Sequence, residues 1–293
     1  MFRFDFDGEQ TVHSSSRESL SSPYEALLAT NNSIVEVFPQ PLTLTLGSLP
    51  LVKVFDFEIV KSTSVSSEGG EFEYDLLPGT YEGCHALWEA SIDLCAYLKE
   101  VYTETGVIAD TVLELGCGAG LPGIQALRLG SHRVVFSDFN EDVLVSKTWP
   151  NIQINAPQLS NQQAFCLAGD WPGLPAYFAV NSDRYSHCQP SRARLTSLRL
   201  PCSFDLILSA ETLYSAESCL KIVLTLESLL SDTGVAIIAN KRYYFGVGGG
   251  TQELKRIVAS RAMSLRVVRV IEDGVSNIRE VICISRTNAS DTR

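Results

Sequence analysis

Thr111-Val112-Leu113-Glu114-Leu115-Gly116-Cys117-Gly118-Ala119-Gly120-Leu121-Pro122-Gly123 is the stretch whose reading decides the architecture. Its first five residues are mostly apolar and read as a short buried strand. Glycines then alternate at 116, 118 and 120, a pattern that disfavours strand and helix alike, so the chain turns there. Leu121 to Leu129 has the composition of a helix, with Pro122 in its first turn, where a missing N–H costs least. Such a strand, turn and helix start form the crevice at the carboxyl ends of strands where open α/β sheets hold nucleotide-like ligands.

Working outward, Trp88, Ile92, Cys95, Ala96 and Leu98 recur at helical spacing and predict an amphipathic helix over 84–101. Downstream, Arg133 to Asp138 reads as a second strand ending in an acid, and 142–148 as a helix. A third strand covers 164–168 and runs into Gly169-Asp170-Trp171. Residues 173–200 are rich in Gly, Pro, Asn, Ser and Arg with weak periodicity, and read as an insertion loop. Strand 204–208, helix 218–230, a turn at Asp232-Thr233-Gly234, strand 235–240 and helix 254–264 follow. Two late strands, 265–271 and 278–284, flank Asp273-Gly274. Strands alternating with helices imply a mostly parallel sheet covered on both faces, and the last pair an antiparallel hairpin at one edge. This α/β domain is expected to fill 75–293. Before it, 34–60 alternates apolar and polar residues, as in Leu42-Thr43-Leu44-Thr45-Leu46, which fits one or two strands; with the flexible linker at 61–70 it makes a small β extension over 34–74. Residues 1–33 are serine-rich and aperiodic and are expected to be disordered.

Bulk properties narrow the function. With 45% apolar residues the chain has material for a sizeable core, yet it lacks an uninterrupted apolar run near the ~20 residues of a membrane span. The start, Met1-Phe2-Arg3-Phe4-Asp5, lacks the basic-then-apolar pattern of a secretory signal, so none is expected. Eight cysteines contain no C-x-x-C pair, and Cys166 and Cys283 sit inside apolar runs; buried, reduced thiols are expected, and no metal site. A net charge of −11 argues against direct nucleic-acid binding and suits a basic protein partner, although solubility alone accounts for it equally well.

Two cofactor classes fit the glycine turn. Gly118-x-Gly120-x-x-Gly123 with Asp138 downstream matches the dinucleotide fingerprint. Three features favour S-adenosylmethionine. Glu114 stands two residues before the first glycine, where a carboxylate opposes a cationic ligand and repels a diphosphate. Asp138-Phe139-Asn140 puts an acid where ribose hydroxyls need acceptors. Asp170 and Trp171 offer an acceptor and a stacking ring for adenine. Each piece alone is ordinary for an α/β protein.

Together these segments resemble the seven-stranded, Rossmann-like methyltransferases, with Gly116 to Gly123 similar to that superfamily's first motif. Glu211-Thr212-Leu213-Tyr214 is similar to an acid-x-x-Tyr motif of enzymes that methylate protein side chains. Tyr81-Glu82-Gly83 through Leu94, and Lys241-Arg242-Tyr243-Tyr244-Phe245-Gly246-Val247-Gly248-Gly249-Gly250, resemble the histidine protein methyltransferase family in particular. The resemblance spans about residues 75–285. It implies methylation of a histidine ring nitrogen in a large-subunit ribosomal protein, in cytoplasm and nucleus. It also implies cofactor contacts at Trp88, Glu114, Gly116, Gly118, Gly120, Asp138, Asn140, Gly169, Asp170, Trp171 and Ser209.

Methyl transfer to a neutral imidazole needs little base catalysis, because the free ring, with a pKa of ~6.5, is largely neutral at pH 7. It does need the correct tautomer, which an acceptor on the other ring nitrogen selects. Glu211 is the candidate acceptor and Tyr214 a pocket wall; a cofactor contact or helix cap is the rival role for Glu211. Tyr244, Phe245, Gly246 and Gly248 are the candidate substrate contacts, since four glycines in 246–250 either admit a substrate backbone closely or form a lid. Trp88 fits either the core or the methyl-donor pocket, and a lone His85 reads as structural. Three alternatives stay open: a lysine methyltransferase of the same fold, a catalytically inactive binding module, and a nicotinamide dehydrogenase.

Overall fold

The computed structural model describes residues 34–37, 51–54, 56–60, 87–158, 163–181, 203–244, 246, 248–274 and 277–287. Strands β1 (Val35–Val37), β2 (Leu51–Val54) and β3 (Phe57–Val60) precede helix α1 (Glu89–Thr105). The glycine turn joins β4 (Thr111–Leu115) to α2 (Leu121–Arg128). Next come β5 (Arg133–Asp138), α3 (Glu141–Val143), a π-helical turn (Leu144–Thr148), α4 (Trp149–Asn155) and β6 (Ala164–Ala168). A 3-10 turn (Trp171–Gly173) leads into α5 (Leu174–Val180). The chain then runs through β7 (Phe204–Ala210), α6 (Ala216–Leu229), β8 (Leu230–Lys241), α7 (Thr251–Val258), β9 (Met263–Ile271) and β10 (Arg279–Arg286).

Eight strands form one sheet in the order β1-β6-β5-β4-β7-β8-β10-β9. The inner pairs β6–β5, β5–β4, β4–β7 and β7–β8 are parallel, and β10 lies antiparallel to both β8 and β9. The mostly parallel sheet with an antiparallel edge hairpin is as expected. Chain order reverses between β4 and β7, which opens a crevice beyond their carboxyl ends.

All five residues of β4 are buried because the strand is central and covered on both faces. Its alternation divides the core. Leu113 and Leu115 join Ile207, Leu226 and Leu254 on one face, while Val112 joins Leu94, Leu121 and Ile124 on the other. Gly123 is where α2 presses closest on the sheet: a Cβ there would lie 2.5 Å from both Glu114 Oε2 and the Phe136 ring. One strand in from the far edge, Arg279 is only 5% exposed and donates to Asp93 and Asp273, fastening β10 to α1.

In the N-terminal extension, β1 pairs antiparallel with β6 and adds an eighth strand at the sheet edge, while β2 and β3 form a hairpin of their own. Three expectations need correction. Residues 174–180 are helical rather than loop, with Leu174 and Phe178 buried one turn apart. The helical segment predicted to end at 148 continues through a π turn to Asn155. The turn predicted at 232–234 lies within β8, whose pairing with β7 shifts register there. The Leu42–Leu46 alternation, the 61–70 linker, residues 1–33 and most of the 173–200 insertion lie outside the described residues.

Candidate active site

The glycine turn has left-handed backbone at Gly116, Gly118 and Gly120, with φ of 64°, 50° and 76°. Side chains behind it brace both polarities of the loop. Gly118 N–H donates to Asp138 Oδ2 at 2.9 Å, and Asn140 N–H to Asp138 Oδ1 at 3.1 Å. Thr148 Oγ1 donates to Gly118 O at 2.6 Å, and Asn151 Nδ2 to Ala119 O at 2.9 Å. Thr148 belongs to the π turn, a geometry often found near functional sites. Burial pushes the Asp138 carboxyl up to about 6, against the pull of the N–H groups of Gly118, Asn140 and Phe139. With three N–H groups on its roughly four lone-pair sites, Asp138 retains capacity for about one further donor.

Glu114 differs from expectation. It is 2% exposed, and its Oε2 accepts from Gly123 N–H at 2.9 Å, beneath the N-terminus of α2. Burial holds its carboxyl well above the usual carboxylate range, with Gly123 N–H opposing and Asp138 adding to the rise. It ties the helix start to the strand rather than facing a ligand with full negative charge. Ser209 is likewise turned inward, 1% exposed; its hydroxyl donates to Leu115 O at 2.9 Å and lies 2.6 Å from Thr212 Oγ1. Asp170 is already paired, accepting from Lys221 Nζ at 2.7 Å. Trp171 is buried, and a Cβ on Gly116 would come within 3.3 Å of its ring and 2.7 Å of Thr212 Cγ2. The glycine turn, Trp171 and the loop after β7 therefore meet. Gly169 follows β6 at φ 137°, its N–H bonded to Asp138 O.

The opposite wall is built on Glu211. It is the one described non-glycine residue with positive φ, 55°, a conformation that costs on the order of 1–3 kcal/mol and persists where surroundings enforce it. Its N–H donates to Ala239 O, and its side chain is 3% exposed. Oε2 accepts from the Tyr244 hydroxyl and lies 3.9 Å from Lys241 Nζ, whereas Oε1 is buried with no hydrogen-bond partner. Burial raises the Glu211 carboxyl; the Tyr244 hydrogen bond and the Lys241 charge oppose that rise. The Lys241 ammonium also sits 4.7 Å from the Trp88 ring centroid and 5.8 Å from that of Tyr244. Trp88, Glu211 and Tyr244 thus come together around a lysine that sequence reasoning did not single out; its position at the end of β8, just before the tyrosine–glycine run, was the available signal.

Tyr214 is half-buried two residues before α6, whose cap is the Ser215 hydroxyl accepting from Ser218 N–H. The glycine run packs on this same loop. Gly250 N–H donates to Leu213 O, Gly248 pairs with Ser215, and a Cβ at Gly249 would lie 2.1 Å from Leu213 O. Gly249 is thus required by internal packing, while Gly246 and Gly248 face open space. Phe245 lies outside the described residues.

An α/β domain with a braced glycine turn at its switch point belongs to the class that binds nucleoside cofactors. The residues present fit a cationic one: the acids Asp138 and Glu211 stand at the carboxyl ends of β5 and β7, and Lys221 and Lys241 lie against the carboxylates of Asp170 and Glu211. A family model described as lysine methyltransferase matches residues 78–172. A Dictyostelium discoideum histidine protein methyltransferase 1 homologue is 37% identical over 72% of this chain and 60% of its own length. The Rattus norvegicus homologue is 31% identical over 83% of this chain and 68% of its own. A Neurospora crassa protein N-terminal and lysine N-methyltransferase is 39% identical, but over only 24% of each chain. The chain belongs to the histidine protein methyltransferase family. It spans about 60% of the length of the Dictyostelium relative.

Proposed function

We propose that this protein transfers a methyl group from S-adenosylmethionine to a ring nitrogen of a histidine in a basic protein, a large-subunit ribosomal protein being the partner the family implies. When bound, S-adenosylmethionine supplies an electrophilic methyl on a sulfonium. Gly116, Gly118 and Gly120 form its cradle, Asp138 and Asn140 hold its ribose, Gly169, Asp170 and Trp171 border its adenine, and Trp88 closes the pocket. Glu114 and Ser209 act on the cofactor through the loop they fix.

The observation that carries this reading is the buried, unpartnered Oε1 of Glu211. A buried acceptor without a donor is costly, and a ligand N–H relieves the cost. A neutral imidazole has one N–H to give and one lone pair left to attack. Accepting that N–H at Oε1 selects the reactive tautomer, and the developing imidazolium is stabilised by the carboxylate. The transferred proton count is zero in the attack itself; the ring N–H is released afterwards to solvent. Tyr214, Tyr244, Gly246 and Gly248 shape the path of the substrate chain. The charge of −11 favours encounter with a basic partner and disfavours nucleic acid. The five cysteines among the described residues are free and buried, which suits a reducing compartment, in keeping with cytoplasm and nucleus.

The test is Glu211→Gln, assayed with labelled methyl donor and ribosomal proteins, the product located by mass spectrometry. Methyl-histidine made by the unaltered protein, with a fall in kcat of about 100-fold in the variant at retained cofactor affinity, is expected for loss of tautomer selection. Near-normal turnover in the variant rules the acceptor role out.

A further inference from the structure

We propose that Lys241 is a specificity-determining residue: its ammonium fills the aromatic-and-carboxylate seat that a substrate lysine would need, so the site admits a neutral imidazole and turns a cationic side chain away. This rests on the reading of Glu211 as acceptor for the target ring.

Enzymes recognise an alkylammonium with aromatic faces and an anionic acceptor. Both are present and both converge on the protein's own cation. Lys241 Nζ is 4.7 Å from the Trp88 ring centroid, 5.8 Å from that of Tyr244 and 3.9 Å from Glu211 Oε2. Its side chain is 18% exposed, so the seat is largely desolvated. The Tyr244 hydroxyl takes Oε2 as well, which leaves Oε1 as the single free acceptor of Glu211. One acceptor answers the one N–H of a neutral imidazole, whereas an ammonium brings three donors and a full charge. The charges facing Glu211 do not favour a second cation either. Lys241 already offsets the carboxylate, and of the more distant pair, Glu89 and Arg279, one is negative and one positive. A like charge within this range disfavours the charged form of a group by about 10-fold or more. The Lys241 charge also opposes the upward push of burial on the Glu211 carboxyl.

The test uses full-length protein loaded with S-adenosylhomocysteine, titrated by calorimetry with imidazole and with n-butylamine at about pH 8, where the first is neutral and the second a cation. The unaltered protein is expected to bind imidazole and to bind butylammonium at least ~10-fold more weakly. Lys241→Met and Lys241→Gln should close or reverse that gap, and Lys241→Arg should restore it. The unaltered protein alone tests the idea if variants misfold: butylammonium binding as tightly as imidazole overturns it. So does a gap that is the same in Lys241→Met as in the unaltered protein. Failure of the underlying reading looks different, because imidazole would then bind Glu211→Gln as well as the unaltered protein.

Discussion

Adding one methyl group at Gly249 should disrupt the candidate site through its own scaffold. The Cβ of Gly249→Ala would lie 2.1 Å from Leu213 O, 2.4 Å from Tyr214 C and 2.5 Å from Ser215 N. These are backbone atoms, so no side chain can swing aside; either the glycine run or the 213–215 loop must retreat by ~1 Å to regain ordinary contact. Overpacking of this kind costs about 1–3 kcal/mol. The loop that moves starts at Glu211 and ends at the Ser215 cap of α6, and a ~1 Å misplacement at a reacting site costs about 100-fold in rate. Expected are a modest drop in Tm, kcat down about 100-fold, and a smaller loss of methyl-donor affinity, carried through Thr212 of the same loop where it packs on Gly116. Gly274→Ala, between β9 and β10, is the control. It meets no atom within 4 Å and carries only the strain of φ 74°, about 1–2 kcal/mol. A Gly249→Ala protein as active and as stable as Gly274→Ala would refute the packing argument.

Other perturbations follow from the same geometry. Asp138 has a folded pKa of about 6 against an ordinary 3.8, so between those values the folded state holds the extra proton and stability falls as pH rises; Asp138→Asn should flatten that slope by about 3 kcal/mol, read from unfolding at pH 4 and pH 7. Cofactor affinity in the unaltered protein should move the opposite way, falling as pH drops below about 6 and the acceptor is neutralised; calorimetry across pH 5 to 8 checks it. Glu114→Gln, which keeps an oxygen for Gly123 N–H, should cost under about 1 kcal/mol, whereas Glu114→Ala should cost about 1–3 kcal/mol, measured by denaturant unfolding. Arg279→Met strands Asp93 and should cost about 3–5 kcal/mol in the same assay, with methyl-donor affinity unchanged.

The glycine turn was legible in the chain because its logic is local: five buried residues, three glycines with left-handed backbone, and a proline in the first helical turn are consecutive. The same holds for the acid at the end of β5. Three things were not legible. Residues 174–180 form less than two full turns of helix, with Pro175 near the start and only Leu174 and Phe178 buried, too short a stretch for periodicity to register. At 232–234, Gly234 suggested a turn, but it lies where a Cβ would meet Phe204 O at 2.8 Å, and the need for close strand approach accounts for it. Lys241 acquires its meaning only from Trp88 and Glu211, which are 153 and 30 residues away and are brought to it by the end of α1 and the register of β7 on β8. The inward direction of Glu114 depends on the close packing of α2 against the sheet, which composition does not reveal.

The three residues of β1 lie along β6, with Val35, Glu36 and Val37 opposite Ala168, Leu167 and Cys166, and Tyr177 of α5 donates from its hydroxyl to Glu36. An uncovered β6 would offer a row of unanswered amides and carbonyls to any passing strand. A version cut back to residue 78, where the family model's match begins, would lose that cover and leave β6 open to pairing with a second strand.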